Sequence, residues 1–182
     1  MNTSSIRIIG GRHKSYRIVF KASPGLRPTT DRAKETLFSW LQFELENKSC
    51  LDLFAGTGSL GLEALSRGAK HVTFVEKEKS LYKNIIKNIS DLGYENKIQA
   101  VCSDSFKWLE KNKQKFDLIF LDPPFNLIEY KMLIRAIFQN NVLNEDGKIF
   151  LESSKHTSIE LSKTQNILKD KTIGDVRLII LQ

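Results

Sequence analysis

From Ser49 onward the chain alternates at short, regular intervals between runs that are almost wholly apolar and runs that are amphipathic. The apolar runs are CLDLF, HVTFVE, KIQAVC, FDLIFLD and GKIFLES, separated by helix-period segments at about 59–67, 78–92, 104–111 and 129–139. A strand with one wet face alternates apolar and polar residues; a strand that is apolar throughout is covered on both faces. Such strands, each followed by a helix, form a parallel sheet with helices on either side. The end of the chain differs, because QNILKDKTIGDVRLIILQ reads as two strands around Gly174 with no helix between them, which puts one antiparallel strand on the sheet. The expected fold is therefore α/β and Rossmann-like, with a mostly parallel sheet of seven strands and helices on both faces.

The segment before this core has a different character. SIRIIGG and YRIVFK alternate apolar and basic residues around Gly10-Gly11 and predict a β-hairpin. SPGLRPTT, with Pro24, Gly25 and Pro28, is a turn-rich connection, and TDRAKETLFSWLQFEL places Ala33, Leu37, Leu41 and Leu45 on one helical face behind Thr30 as N-cap. We divide the chain into a hairpin extension over 1–28 and the α/β domain over 29–182. The net charge of +7 falls unevenly along the chain: residues 1–34 carry eight basic side chains against Asp31 alone, while the remaining 148 residues carry 20 of each sign. An excess confined to one structured segment is the footprint of a polyanion-binding surface.

Other classes are excluded by what the chain contains. No apolar run approaches the ~18 residues of a membrane span, and MNTSSIRIIGGRHK has no apolar leader core, so a soluble cytoplasmic protein is expected. Cys50 and Cys102 flank predicted interior strands and are expected as buried thiols. His13, His71 and His156 lie in unrelated segments, which gives no metal or triad constellation.

Two motifs carry chemistry. In LDLFAGTGSLGLEALSRG, Gly56, Gly58 and Gly61 spell G-x-G-x-x-G between a strand and a helix, where bare backbone approaches a ligand at a helix N-terminus. Glu76 ends the next strand, 20 residues beyond Gly56, placed to accept bonds from ribose hydroxyls. Asp52, before the loop, suits the ammonium and sulfonium charges of S-adenosylmethionine better than a dinucleotide pyrophosphate. Asp104 is a candidate for the adenine amine and equally for the N-cap of the helix after it. Phe54, Thr57, Lys77 and Ser105 complete the candidate cofactor set. The second motif is Asp122-Pro123-Pro124-Phe125 at the end of FDLIFLD. Proline holds the residue before it extended and offers no N–H, so the turn is a rigid ledge of acceptors. An exocyclic base amine matches it: the Asp122 carboxylate and the Pro123 carbonyl take its two N–H bonds, and Phe125 stacks on the base.

The blocks IIGG, LRPTTDRAKETLFSWL, LDLFAGTGSLGLEALSRGA and FDLIFLDPPF, in this order, resemble the RsmD family of bacterial methyltransferases over essentially the whole chain. The most specific block is RPTTDRAKETLF; after IIGG the chain departs from the family's glycine- and arginine-rich continuation with RHKSYRIVF. The resemblance implies methyl transfer from S-adenosylmethionine to guanine N2 of small-subunit (16S) ribosomal RNA, on a class I methyltransferase fold. Asp52, Gly56, Gly58 and Glu76 would then hold the cofactor, Asp104 its adenine, and Asp122 to Phe125 an extruded guanine. Arg7, Arg12, Lys14, Arg17, Arg27 and Arg32 are the candidate RNA contacts, on naked RNA, the small subunit or an assembly intermediate. No metal is called for, and a monomer is expected. Three alternatives stay open on sequence: an amino methyltransferase acting on adenine N6 or cytosine N4 of DNA, a nicotinamide-dependent oxidoreductase sharing the glycine loop, and a non-catalytic RNA-binding assembly factor on the same fold.

Overall fold

The computed structural model describes residues 3–21, 29–124, 130–161 and 165–182. Pro24, Gly25, Arg27, Pro28 and Phe125 lie outside them. The hairpin strands are β1 (Thr3–Arg7) and β2 (Arg17–Lys21), followed by α1 (Asp31–Trp40). The core then runs β3 (Ser49–Asp52), α2 (Ser59–Ser66), β4 (His71–Glu76), α3 (Lys79–Leu92), β5 (Ile98–Cys102), α4 (Ser105–Lys111), β6 (Phe116–Leu121), α5 (Tyr130–Gln139), β7 (Leu143–Ser154), β8 (Ile167–Ile173) and β9 (Val176–Leu181). The seven strands lie in the order β5-β4-β3-β6-β7-β9-β8. All neighbours among β3 to β7 are parallel, and β9 inserts antiparallel between β7 and β8. The chain enters mid-sheet at β3, builds to one edge, then crosses to β6. That reversal opens a crevice beyond the carboxyl ends of β3 and β6, where ligands bind in open α/β sheets.

Period two divides the strands between two cores. Cys50, Phe74, Phe120, Phe150 and Ile180 face α1, α2 and α3, and this cluster also takes in Ile8 and Ile18 of the hairpin segment. Leu51, Val75, Leu121, Leu151 and Leu181 face the opposite way, against Trp108 and Leu109 of α4 and Leu133, Ile134 and Ile137 of α5. Burying each Leu, Ile or Phe contributes about 1.5–3 kcal/mol. Thr30 caps α1, its side chain accepting from Ala33 N at 3.3 Å. The helix ends at Trp40, sooner than its apolar period, yet Leu41 and Leu45 continue the buried face through the following turns.

Three sequence readings need correction. Cys102 is exposed, because β5 is an edge strand and Cys102 its last residue; Cys50 is buried as expected. The hairpin does not reverse at Gly10-Gly11. Its pairing extends to Ile8 N, which donates to Tyr16 O at 2.9 Å, and the residues between are laid on the end of α2. There Arg12 N donates to Ser66 O (2.7 Å), His13 N to Ser66 Oγ (2.9 Å), Ser66 Oγ to Gly10 O (2.6 Å) and Ile9 N to Glu63 Oε2 (2.7 Å). A Cβ on Gly11 would stand 2.0 Å from Ser66 O, so that glycine serves a docking contact. Lys34, counted above in the basic excess, is wholly buried: its Nζ donates to Arg7 O and lies 3.6 Å from Asp31 Oδ1. Among the described residues, no helix is long and apolar enough to cross a membrane.

Candidate active site

The glycine loop joins β3 to α2 and is tied to the strands on either side: Leu53 N donates to Phe120 O at 3.2 Å and Ala55 N to Val75 O at 3.0 Å. Gly56 (φ 54°) and Gly58 (φ 79°) both adopt the left-handed conformation, which glycine takes without a Cβ penalty. Gly61 has another role. A Cβ there would stand 2.2 Å from the Phe74 ring, so the third glycine lets α2 lie close on β4.

The two acids predicted for the cofactor hold this loop. Glu76 accepts from Gly56 N through Oε2 and from Glu78 N through Oε1, each at 2.7 Å. Asp52, 2% exposed, accepts from Gly61 N at 3.0 Å through Oδ2. Burial pushes the Asp52 carboxyl up to about 7; the Gly61 N–H opposes the rise, and the Asp122 and Glu76 charges add to it. Glu76 is also raised, by burial first, against its two N–H bonds. Both charges acting on Asp52 are carboxylates, so a ligand carrying positive charge relieves the site.

Asp104 caps α4, its Oδ1 accepting from Phe106 N (3.1 Å) and Lys107 N (3.2 Å), and it is solvent-exposed at the end of β5. The Ser105 hydroxyl is buried and donates to Leu53 O at 2.7 Å, linking α4 to the glycine loop. Thr57 is buried, Phe54 is half-buried against the α4 and α5 side, and Lys77 is exposed.

Asp122 follows β6, with Pro123 buried and Pro124 exposed. Its Oδ2 accepts from the Thr29 hydroxyl at 2.8 Å, and Thr29 is itself 2% exposed. Sequence reading passed over Thr29, although it stands inside the RPTT block. It also missed two neighbours: Glu152 near the end of β7, and Tyr130, whose hydroxyl donates to Glu152 O at 3.2 Å. The signal for Glu152 is a charge closing the apolar run GKIFLE as Asp122 closes FDLIFL.

Of the basic residues, Arg7, Arg12, Lys14, Arg17 and Arg32 are exposed, and Arg7 Nε pairs with Asp31 Oδ2 at 2.8 Å. Tyr16 carries the hairpin onto α3, donating to Asn88 Oδ1 at 3.1 Å.

Over residues 6–182 the chain matches the family described as Conserved hypothetical protein 95. It is 40% identical to ribosomal RNA small subunit methyltransferase D of Haemophilus influenzae over 174 residues, 94% of this chain and 90% of the relative. It is 35% identical to the Escherichia coli K12 protein of the same name, over 96% and 88% of the two chains. The chain belongs to the RsmD family. Among solved structures, the yhhF protein of Escherichia coli matches this RsmD-family fold with a TM-score of 0.90 at 32% identity, over 98% of each chain. HI0767 of Haemophilus influenzae matches at 0.83 and 35%, again over 98% of each. SMU.776, solved in complex with S-adenosylhomocysteine, shares the fold at a TM-score of 0.71 and 16% identity, over 90% of this chain and 53% of that one.

As a member of the RsmD family the protein is a methyltransferase, and the cofactor its sequence leads one to expect is S-adenosylmethionine. The residues fit that cofactor: two glycines leave backbone bare where β3 meets α2, the buried Asp52 carboxylate suits its positive charges, and Glu76 suits its ribose hydroxyls. Membership in a methyltransferase family sets aside the nicotinamide-dependent oxidoreductase.

Proposed function

We propose that this RsmD-family protein methylates the exocyclic N2 amine of a guanine in small-subunit (16S) ribosomal RNA. The carrying observation is the Asp122-Pro123-Pro124 ledge beside the glycine loop, its carboxylate fixed by Thr29 from the RPTT block. The names of the H. influenzae and E. coli relatives support small-subunit RNA as the substrate.

In this reading Asp52, Glu76 and the glycine loop hold the cofactor and Asp104 receives its adenine amine through the oxygen left over from capping. Bound there, S-adenosylmethionine supplies an electrophilic methyl group whose transfer to the amine leaves S-adenosylhomocysteine and a proton. A guanine N2 lone pair is delocalised into the ring and is a poor nucleophile. The Asp122 carboxylate and the Pro123 carbonyl accept its two N–H bonds, turn the lone pair out of the ring plane and give the departing proton a path to Asp122. Phe125, outside the described residues, is proposed to stack on the extruded base. Residues 1–28, with Arg7, Arg12, Lys14, Arg17 and Arg27, joined by Arg32, supply the phosphate contacts that offset extrusion, which costs a few kcal/mol. The substrate is the small subunit or an assembly intermediate, met by a monomer of this protein.

The test is transfer of labelled methyl to small subunits that lack the modification, with free ribosomal RNA, DNA and Asp122→Ala as controls. Label in N2-methylguanine, lost by at least about 100-fold in Asp122→Ala with cofactor affinity near that of the unaltered protein, is the expected result. Label in DNA alone, or none with cofactor still bound, transfers the assignment to the DNA-modifying or the non-catalytic alternative.

A further inference from the structure

Four strands deliver a carboxylate to one face of the sheet at its C-terminal edge, and the function proposed above uses three of them. Phe74, Phe120 and Phe150 all face α1 to α3. Glu76, Asp122 and Glu152 each stand two residues further on, hence on the same face, as does Asp52, two residues after Cys50. Phe120 is registered with Phe150 and Leu121 with Leu151, so Asp122 and Glu152 are the next positions on two adjacent strands, which lie roughly 4.8 Å apart. The Tyr130 hydroxyl, which donates to Glu152 O at 3.2 Å, lies by this pair. Its acidity is lowered first by burial, then by the charges of Asp122 and of Glu152.

Glu152 is 5% exposed, although its neighbours Phe150 and Leu151 are wholly buried apolar residues. Holding an acid in such a place is costly, and a buried acid in a cleft beside other ionisable groups is a candidate functional residue. The chemistry beside it identifies the constraint. On its Watson–Crick edge guanine presents N1–H next to the N2 amine, two adjacent donor groups. Adenine and cytosine set a ring acceptor next to their exocyclic amines. A second carboxylate beside Asp122 complements the first pattern and repels the second.

We propose that Glu152 is a specificity-determining residue whose carboxylate accepts the N1–H of the guanine held through N2 by Asp122 and Pro123. This rests on the guanine-N2 reading above, and its consequence is that the same ledge rejects adenine N6 and cytosine N4. Glu152 does not take part in methyl transfer; it selects the base that presents its amine.

The test compares small subunits reconstituted with RNA carrying guanine at the mapped target with subunits whose RNA carries 2-aminopurine there, which keeps the N2 amine but has an acceptor at N1. The unaltered protein should prefer guanine in kcat/KM by roughly 10- to 100-fold, the worth of a hydrogen bond to a charged group. In Glu152→Gln, whose amide can donate to an acceptor at N1, the preference should shrink to within about threefold, with cofactor affinity unchanged. Equal use of both bases by the unaltered protein overturns the proposal without need of any variant, as does an undiminished preference in Glu152→Gln. Absence of label on guanine with the unaltered protein is a separate outcome, which removes the guanine-N2 reading itself.

Discussion

Thr29 shows how much can depend on one hydroxyl. Its hydrogen bond to Asp122 Oδ2 is buried on the Thr29 side, so Thr29→Val leaves the carboxylate without that donor while keeping the side-chain volume. We expect kcat to fall about tenfold, the cofactor KM to stay unchanged and Thr29→Ser to restore the rate, measured by single-turnover transfer; equal losses in Val and Ser variants would make the role one of packing. Asp52 yields a pH prediction. Its carboxyl is raised from 3.8 to about 7, so in the ligand-free protein this group favours folding below pH ~4, and that contribution is lost as pH rises through 7. A cationic ligand needs the ionised form. Cofactor affinity should therefore weaken up to tenfold per pH unit below 7 with net proton release on binding, read by calorimetry in buffers of differing ionisation enthalpy. Asp52→Asn, which still accepts from Gly61 N, should raise the ligand-free melting temperature at pH 8 and weaken cofactor binding.

At the scale of elements, the hairpin is docked by contacts that its own sequence does not announce. Gly11, at φ 74° and with Ser66 O where a Cβ would fall, permits the tip to lie on α2. Gly11→Ala should cost about 1–3 kcal/mol in denaturant unfolding and weaken RNA binding more than cofactor binding. An unchanged RNA affinity would separate the docked tip from recognition. The contrast with the rest of the chain is instructive. Period 2 and period 3.6 made the β3–α5 alternation legible, because burial of a strand or of a helix face writes itself into consecutive residues. Gly10 and Gly11 looked like a turn because turn glycines and docking glycines are the same letters; only the carbonyl of Ser66, more than fifty residues on, distinguishes them. Cys102 misled for a related reason, since a strand's place at the edge of the sheet is a property of its neighbours.

Across the whole molecule the charge is divided: a neutral catalytic body carries a basic extension that shares its core through Ile8 and Ile18. Arg12, Lys14, Arg17 and Arg32 thus stand on a firm surface, with Tyr16 fixing the hairpin to α3. Log affinity for single-stranded small-subunit RNA should fall against log salt with a slope near −0.7 per phosphate neutralised, and combined Ala substitution of Arg12, Lys14 and Arg17 should reduce that slope by about 2. A flat salt response would place recognition away from the hairpin. By itself the sequence determined the alternation of strands and helices, the glycine loop with Asp52 and Glu76, and the Asp-Pro-Pro ledge. All of these are local, since propensity, periodicity and proline geometry act within a few residues of one another. Tertiary structure alone decided what surrounds the ledge: Thr29 comes to Asp122 from 93 residues away, and Glu152 comes beside it through the register of β6 and β7. Those partners are chosen by how the sheet orders its strands, and strand order is set by the packing of all the helices together.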